Sequence, residues 1–429
     1  MTRFRITLIA TAVLAILFAC NKDPDDTLLD TDGTAIGLPH LWRSSITDDG
    51  ELSNTVIATA IIHDGNILVG SRKDGDRAIL SLKASDGKVN WQWNDLLYLP
   101  STPGLKDPLT VYAEGYHQNG GRMFFTYTGS SYCIELTTGT TFCKYKENLH
   151  RFDRNAGLND TYFSSACNYE PVDEEKIYVG QVSSSEKSKL LLIPDYTPVD
   201  NPPVNARGYL TDITPFQANG NTYLAFGIEN PYTDYTPSGW GLTELNLYNL
   251  TESKYEYSKV AINASKETRY IADLIYDKGS LYFQSANFIH RHDAFTGTEV
   301  WRVAIGSPPL LSNMILIENF LYSANEDRYL YCLDAKTGAV VWKVENTGTC
   351  TELSYLNGIL YYLGGGDGLL HAVDANTGRH VWKVASPDLK KNSGAWFYGL
   401  CAAIPGVDGK RGVIVVTTGM NAYAYEAFR

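Results

Sequence analysis

Two histidines separated by one residue, in Ile289-His290-Arg291-His292-Asp293, are the side chains best spaced for metal chemistry. Residues two apart on a strand share a face, so both imidazoles could reach one ion. A hairpin edge carrying two solvated rings is the plainer expectation, and no metal is assigned. The cysteines are the second candidate set. Apart from Cys20 there are six, at 133, 143, 167, 332, 350 and 401, and an even number in an exported chain permits disulfides. Cys133 and Cys143 flank a Thr-Thr-Gly turn symmetrically about Thr138 and should face each other across a hairpin, where a disulfide is possible. Cys350 and Cys401 fall on expected inner strands of neighbouring units and form a weaker pair. Other catalytic signatures are absent: no Gly-rich phosphate loop, no G-x-S-x-G, no H-E-x-x-H and no C-x-x-C-H occurs.

The elements that would hold these residues come from a repeat. Asp334-Ala-Lys-Thr-Gly-Ala-Val-Val-Trp-Lys-Val344 returns as Asp374-Ala-Asn-Thr-Gly-Arg-His-Val-Trp-Lys-Val384. The turn glycine and a tryptophan four residues on recur at Gly87 and Trp91, Gly297 and Trp301, Gly338 and Trp342, and Gly378 and Trp382. Gly139 has Cys143 where the tryptophan would stand. The steps of 41 and 40 residues between Gly297, Gly338 and Gly378 are those of Trp301, Trp342 and Trp382 as well. A period near 40–50 with four short strands per unit indicates propeller blades. Within a unit, apolar runs such as Gly358–Gly365 and Gly368–Gly378 are bounded by Gly, Asn and Asp. The glycine suits a tight hairpin loop that needs positive φ. The acid before it, Glu135, Asp293, Asp334 or Asp374, can bond turn amides. The tryptophan is a rigid filler between blades whose N–H seeks a partner.

Seven blades follow along the chain, at roughly 52–100, 106–148, 160–208, 210–262, 268–306, 308–346 and 348–386. The chain then stops where a further Thr-Gly turn and tryptophan strand should come, while His40–Ile46 opens the fold with Trp42 and no hairpin partner. Trp42 is therefore expected on the outer strand of the last blade, closing an all-β, eight-bladed ring over residues 39–429. Seven blades is the alternative, if 149–262 holds one blade and an insertion.

Upstream of the ring, Arg3 and Arg5 precede an apolar run from Ile6 to Phe18 that ends in Leu-Phe-Ala-Cys20. The run is too short to span a bilayer and reads as a signal peptide over 1–19. A cysteine after a small residue resembles the bacterial lipobox, which would make Cys20 the lipidated first residue of the mature protein. Residues 20–38 are acidic and aperiodic, as expected of a disordered tether. The segment Cys20-Asn-Lys-Asp-Pro-Asp-Asp26 also resembles signals that route some lipoproteins to the outer face of the outer membrane. The full chain carries −12; loss of 1–19 removes two arginines and no acid, leaving −14. So acidic a chain is not expected to bind nucleic acid, and membrane attachment must come from lipid.

The Asp-Ala-x-Thr-Gly-x-x-x-Trp repeat resembles that of the pyrroloquinoline-quinone (PQQ) propeller superfamily, whose members are eight-bladed rings. The likeness covers residues 40–429, with five good hairpins and two degenerate blades. Quinoprotein dehydrogenases of that superfamily stack the cofactor between a tryptophan and an adjacent-cysteine disulfide. This sequence contains no adjacent cysteine pair, so neither an enzyme nor a bound cofactor is expected. In length, lipobox and repeat the chain also resembles the BamB-like lipoproteins of the outer-membrane β-barrel assembly machine. That resemblance implies a non-catalytic scaffold, facing the periplasm or the cell surface, whose partners are assembly subunits or unfolded barrel precursors.

Binding is expected in loops, since the repeat is occupied with packing. Two loops are rich in aromatics: one holds Tyr232, Tyr235 and Trp240, the other Trp396, Phe397 and Tyr398. Such side chains serve protein interfaces and sugar stacking alike. A surface glycan- or ligand-binding lipoprotein of a nutrient-uptake system is therefore the alternative function.

Overall fold

The computed structural model describes residues 34–35, 38–47, 60–73, 76–96, 116–119, 121–127, 130–146, 150–159, 161–168, 178–183, 189–192, 209–230, 242–262, 271–306, 312–348, 351–390 and 395–428. Within them the chain is all-β apart from a single 3-10 turn, Pro387–Lys390. Seven sheets are each built from four strands consecutive in sequence. They cover 61–93, 116–146, 150–192, 209–262, 271–304, 314–345 and 354–384. They are numbered first to seventh below. A further, closing sheet takes Cys401–Ile404, Val413–Thr417 and Asn421–Glu426 from the C-terminal end and Trp42–Ser45 from the N-terminal end. Trp42 stands opposite Ala424 in that antiparallel pair.

The apolar core lies between sheets, not inside one. Leu80 and Leu82 of the first sheet pack with Trp42, Ala402 and Val415 of the closing sheet. Trp91 and Trp93 pack with Phe125 and Tyr132 of the second. Further clusters join second to third, third to fourth, fourth to fifth, fifth to sixth, and sixth to seventh. The last unites Trp382 and Val384 of the seventh with Tyr423 and Tyr425 of the closing sheet. Every sheet thus buries both faces against its neighbours, and the sequence of clusters returns to its start. That is a β-propeller.

The repeat residues make these joints. The Trp91 indole N–H donates to the Leu136 carbonyl of the next sheet at 2.8 Å. Trp42, Trp301 and Trp342 reach Ala84, Ala335 and Ala375 at 2.7, 3.3 and 3.0 Å. Each of these acceptors follows the last residue of a third strand, so one indole bond recurs around the ring. The turn glycine serves twice. Gly378 sits at φ 72°, and a Cβ there would lie 2.7 Å from Cε3 of Trp342 in the preceding sheet. A side chain would therefore be strained by the backbone and blocked by the indole. Gly87, Gly139 and Gly338 lie in the same way against Trp42, Trp91 and Trp301. The aspartate before the turn accepts from amides inside it, as in Thr337 N–H to Asp334 at 2.7 Å and Thr377 N–H to Asp374 at 3.0 Å.

Two sequence expectations change here. The third sheet begins at His150, not near 160, because His150–Leu158 pairs with Thr161–Asn168 as its first hairpin. Thr34 and Ala35, inside the expected tether, pair in parallel with Lys383 and Val384 on the outer edge of the seventh sheet. An outer strand exposes unpaired backbone groups, and this short piece covers some of them.

Candidate functional site

Three features bring polar or aromatic side chains together. The first is on the innermost strands. Asp212, next to a bulge in the first strand of the fourth sheet, accepts from Leu274 N–H of the fifth sheet at 2.8 Å. Asp273, at a bulge in the fifth, accepts from Met314 N–H of the sixth at 2.9 Å. Asn313, just before the sixth sheet, accepts from Leu353 N–H before the seventh at 2.8 Å. Each side chain thus bonds the backbone entering the following sheet. Burial, reinforced by the neighbouring Asp212 charge, pushes the Asp273 carboxyl well above the usual carboxylate range. No recurring motif marks these residues in the sequence. Their position at bulged inner strands becomes visible only with the strand register.

The second feature is the loop before the closing sheet. Phe397 is fully buried in the cluster of Tyr423 and Tyr425, while Trp396 and Tyr398 on either side are both 43% exposed. The Tyr398 amide donates to the Thr417 carbonyl at 2.8 Å, and the Trp396 side chain lies against Gly368 of the seventh sheet. One aromatic of the three anchors the loop and the other two face solvent. Tyr232, Tyr235 and Trp240 of the other aromatic loop lie outside the described residues, as does Cys20.

The third feature is His290 and His292, on Phe288–Asp293, the third strand of the fifth sheet. The expectation of solvated rings fails. His290 is fully buried and His292 is 3% exposed, because this strand is internal and both its faces meet neighbouring sheets. His290 stacks on Phe283, with ring centroids 4.9 Å apart. Burial, helped by the neighbouring His292 and Arg302, holds its pKa down to about 3. Burial lowers that of His292 as well, so both rings are neutral near pH 7. Glu299 of the outer strand Glu299–Ala304 brings one carboxylate oxygen, Oε2, to 3.6 Å from His290 Nδ1 and 4.0 Å from His292 Nε2.

Cys133 and Cys143 are directly opposite in register, as their symmetry about the turn suggested. Both are free thiols in this structure, not a disulfide. A hydrogen bond to Cys143 together with burial pushes the Cys133 thiol up. Cys350 lies outside the described residues, and Cys401 is a buried free thiol.

Fold and repeat together define a β-propeller. Residues 285–427 match the model of the family described as outer membrane protein assembly factor BamB, PQQ_2. No curated protein matches the chain. Among solved structures, a europium-containing methanol dehydrogenase superposes with a TM-score of 0.60 at 13% identity, over 91% of this chain and 93% of that one. The computationally designed Ika8 protein gives 0.56 at 13%, over 89% and 99%. BamB from Moraxella catarrhalis gives 0.44 at 14%, over 72% and 82%. An enzyme and a designed protein are thus similar to this chain at the same 13% identity, and the likeness is one of fold. Among the described residues no helix is long and apolar enough to cross a membrane.

Proposed function

We propose that this chain is a non-catalytic scaffold of the BamB kind, an eight-bladed ring tethered to the outer membrane through a lipidated Cys20. The observation that carries this reading is the match of residues 285–427 to the family described as an outer membrane protein assembly factor. The matched segment runs from the fifth sheet through the closing sheet and includes the loop with exposed Trp396 and Tyr398. Two exposed aromatics beside a buried anchor suit an interface hot spot, since large rigid rings lose little entropy on contact. The partners on this reading are membrane-protein assembly subunits or unfolded barrel precursors. A dehydrogenase reading lacks the adjacent cysteine pair that its family uses against the cofactor.

Affinity capture of the full chain from detergent-solubilised outer membranes tests the proposal. Recovery of barrel-assembly subunits, reduced by the double change Trp396→Ala and Tyr398→Ala, supports it. Capture that recovers no such subunit overturns the scaffold role. Cys20→Ser should abolish palmitate incorporation and release the chain from membranes; unchanged membrane association would overturn the anchor.

A further inference from the structure

The His290, His292 and Glu299 cluster departs from the repeat at the position where the repeat is most apolar. Counting back from the turn, the place of His292 is taken by Leu82, Ile134, Leu333 and Val373 in the first, second, sixth and seventh sheets, all fully buried. A histidine in such a place gives up the apolar contact of its counterparts and buries a polar ring, which costs stability unless the ring has partners.

The partners it has are of a particular kind. His292 Nδ1 donates to the Gly297 carbonyl at 2.8 Å, which leaves Nε2 as the nitrogen with a lone pair. That Nε2 is buried and has no hydrogen-bond partner among the described residues. It is aimed at Glu299. The His290 ring is hydrogen-bonded to the Ser285 backbone, and its Nδ1 is likewise on the Glu299 side. Backbone carbonyls holding one nitrogen of each imidazole while the other nitrogens converge is the second-shell arrangement of metal-binding histidines. Arg302 completes it. Its guanidinium is 3.8 Å from Oε1 of Glu299, so Oε2 is the oxygen turned toward both rings.

We propose that His290 Nδ1, His292 Nε2 and the Glu299 carboxylate form a binding site for one divalent transition cation of the zinc class. The three ligand atoms lie within 4.8 Å of one another. Tetrahedral ligands at bond lengths of about 2.0–2.1 Å stand roughly 3.3 Å apart; the Glu299 oxygen already stands 3.6 and 4.0 Å from the two nitrogens, so the larger closure, up to about 1.5 Å, is between the imidazoles. Small rotations of the two rings must supply it, and Glu299, whose side chain is 40% exposed, can follow them. The same exposure provides the entry path and a place for water as the fourth ligand. Imidazole and carboxylate donors suit zinc-class ions over calcium or magnesium, which prefer oxygen alone. The site belongs to the third and outer strands of one sheet and is independent of the scaffold role proposed above.

Titration of the full chain with Zn²⁺ by calorimetry, and with Co²⁺ by visible absorption, tests the assignment. One ion per chain should bind, and Co²⁺ should give the intense bands of a tetrahedral centre. Glu299→Gln should weaken binding at least about tenfold, and His292→Leu should abolish it. His371→Gln, at a buried histidine of the seventh sheet, should leave affinity unchanged. Absence of saturable binding would overturn the proposal. So would affinity that survives both Glu299→Gln and His292→Leu, since the ion would then sit elsewhere. Glu299→Gln alters an exposed side chain and keeps the test decisive even if His292→Leu perturbs folding.

Discussion

His290 in the fifth sheet and His371 in the seventh occupy the same place in the repeat, and each stacks on a ring of the adjacent strand. His290 lies 4.9 Å from Phe283 at 11°, and His371 lies 4.8 Å from Tyr362 at 4°. Their surroundings then diverge. In the seventh sheet Asp367 accepts from His371 Nε2 at 3.0–3.1 Å, Val373 stands where His292 does, and His380 stands where Glu299 does. In the fifth sheet the carboxylate comes from the outer strand and faces two imidazoles at once. One arrangement closes a hydrogen-bonded pair. The other leaves nitrogens converging on a shared oxygen. The same repeat position thus carries either a structural pair or the proposed ligand set, according to where the carboxylate stands and whether a second histidine accompanies the first.

The joints of these two sheets differ as well, and mutations there break the comparison most strongly. Trp382 is buried against Tyr361 and the closing sheet, whereas Trp301 is only partly buried. Trp382→Ala should cost about 3–5 kcal/mol and Trp301→Ala clearly less, as read from urea unfolding of each variant. Equal losses would show that the two joints contribute alike despite their different burial.

Next in size are the turn glycines. Ala at 378 would place its Cβ 2.7 Å from the Trp342 ring, whereas Ala at 297 would meet Tyr257 and Val260 at 3.0 Å. Both backbones are left-handed, at φ 72° and 68°. Gly378→Ala should therefore destabilise by about 3 kcal/mol and Gly297→Ala by about 1–2 kcal/mol. Thermal unfolding of the pair checks the order, and a larger loss at Gly297 would reverse it.

A change of opposite sign is expected at His292. Leu there returns the fifth sheet to the side chain that Leu82 and Leu333 provide. Without added metal, His292→Leu should raise stability by about 1–2 kcal/mol, while it removes Zn²⁺ binding. Loss of stability in the metal-free variant would mean that the histidine serves packing.

The smallest effect concerns the seventh sheet. Burial raises the Asp367 carboxyl, but the hydrogen bond and charge of His371, with hydrogen bonds from Leu369 N–H and Thr347, together outweigh it and hold the group below its ordinary value of 3.8. Its contribution is therefore present above about pH 4 and is lost as pH falls through the folded-state value. Asp367→Asn should cost roughly 0.2–1 kcal/mol at pH 6, with the difference from wild type narrowing at pH 3. A difference that widens toward low pH would exclude this account.

Much of this was legible in the sequence because the repeat records contacts between neighbours. Gly378 and Trp342 recur with fixed spacing since each turn rests on the indole before it, and a periodic ring imposes periodic residues. The degenerate stretch from 150 to 262 was harder to read. There Tyr257 and Val260 take the place of the tryptophan against Gly297, so packing persists without its signature. The alternation at Trp396, Phe397 and Tyr398 was equally hidden, since three aromatics in a row do not say which faces inward.

From its own residues the chain determined a ring of short strands, the glycine and tryptophan that join them, and a closure shared by Trp42 and the C-terminal strand. These follow from local geometry and from periodicity, which a linear chain carries in full. Which polar residues meet was decided only by the tertiary structure. His290 and His292 looked like an exposed pair until the sheets on both sides covered them. Asp212 and Asp273 carry no signature in the sequence, and bulges turn them onto the next sheet. Burial and convergence depend on neighbours brought together from distant parts of the sequence, and on the register that sets which side chain faces which.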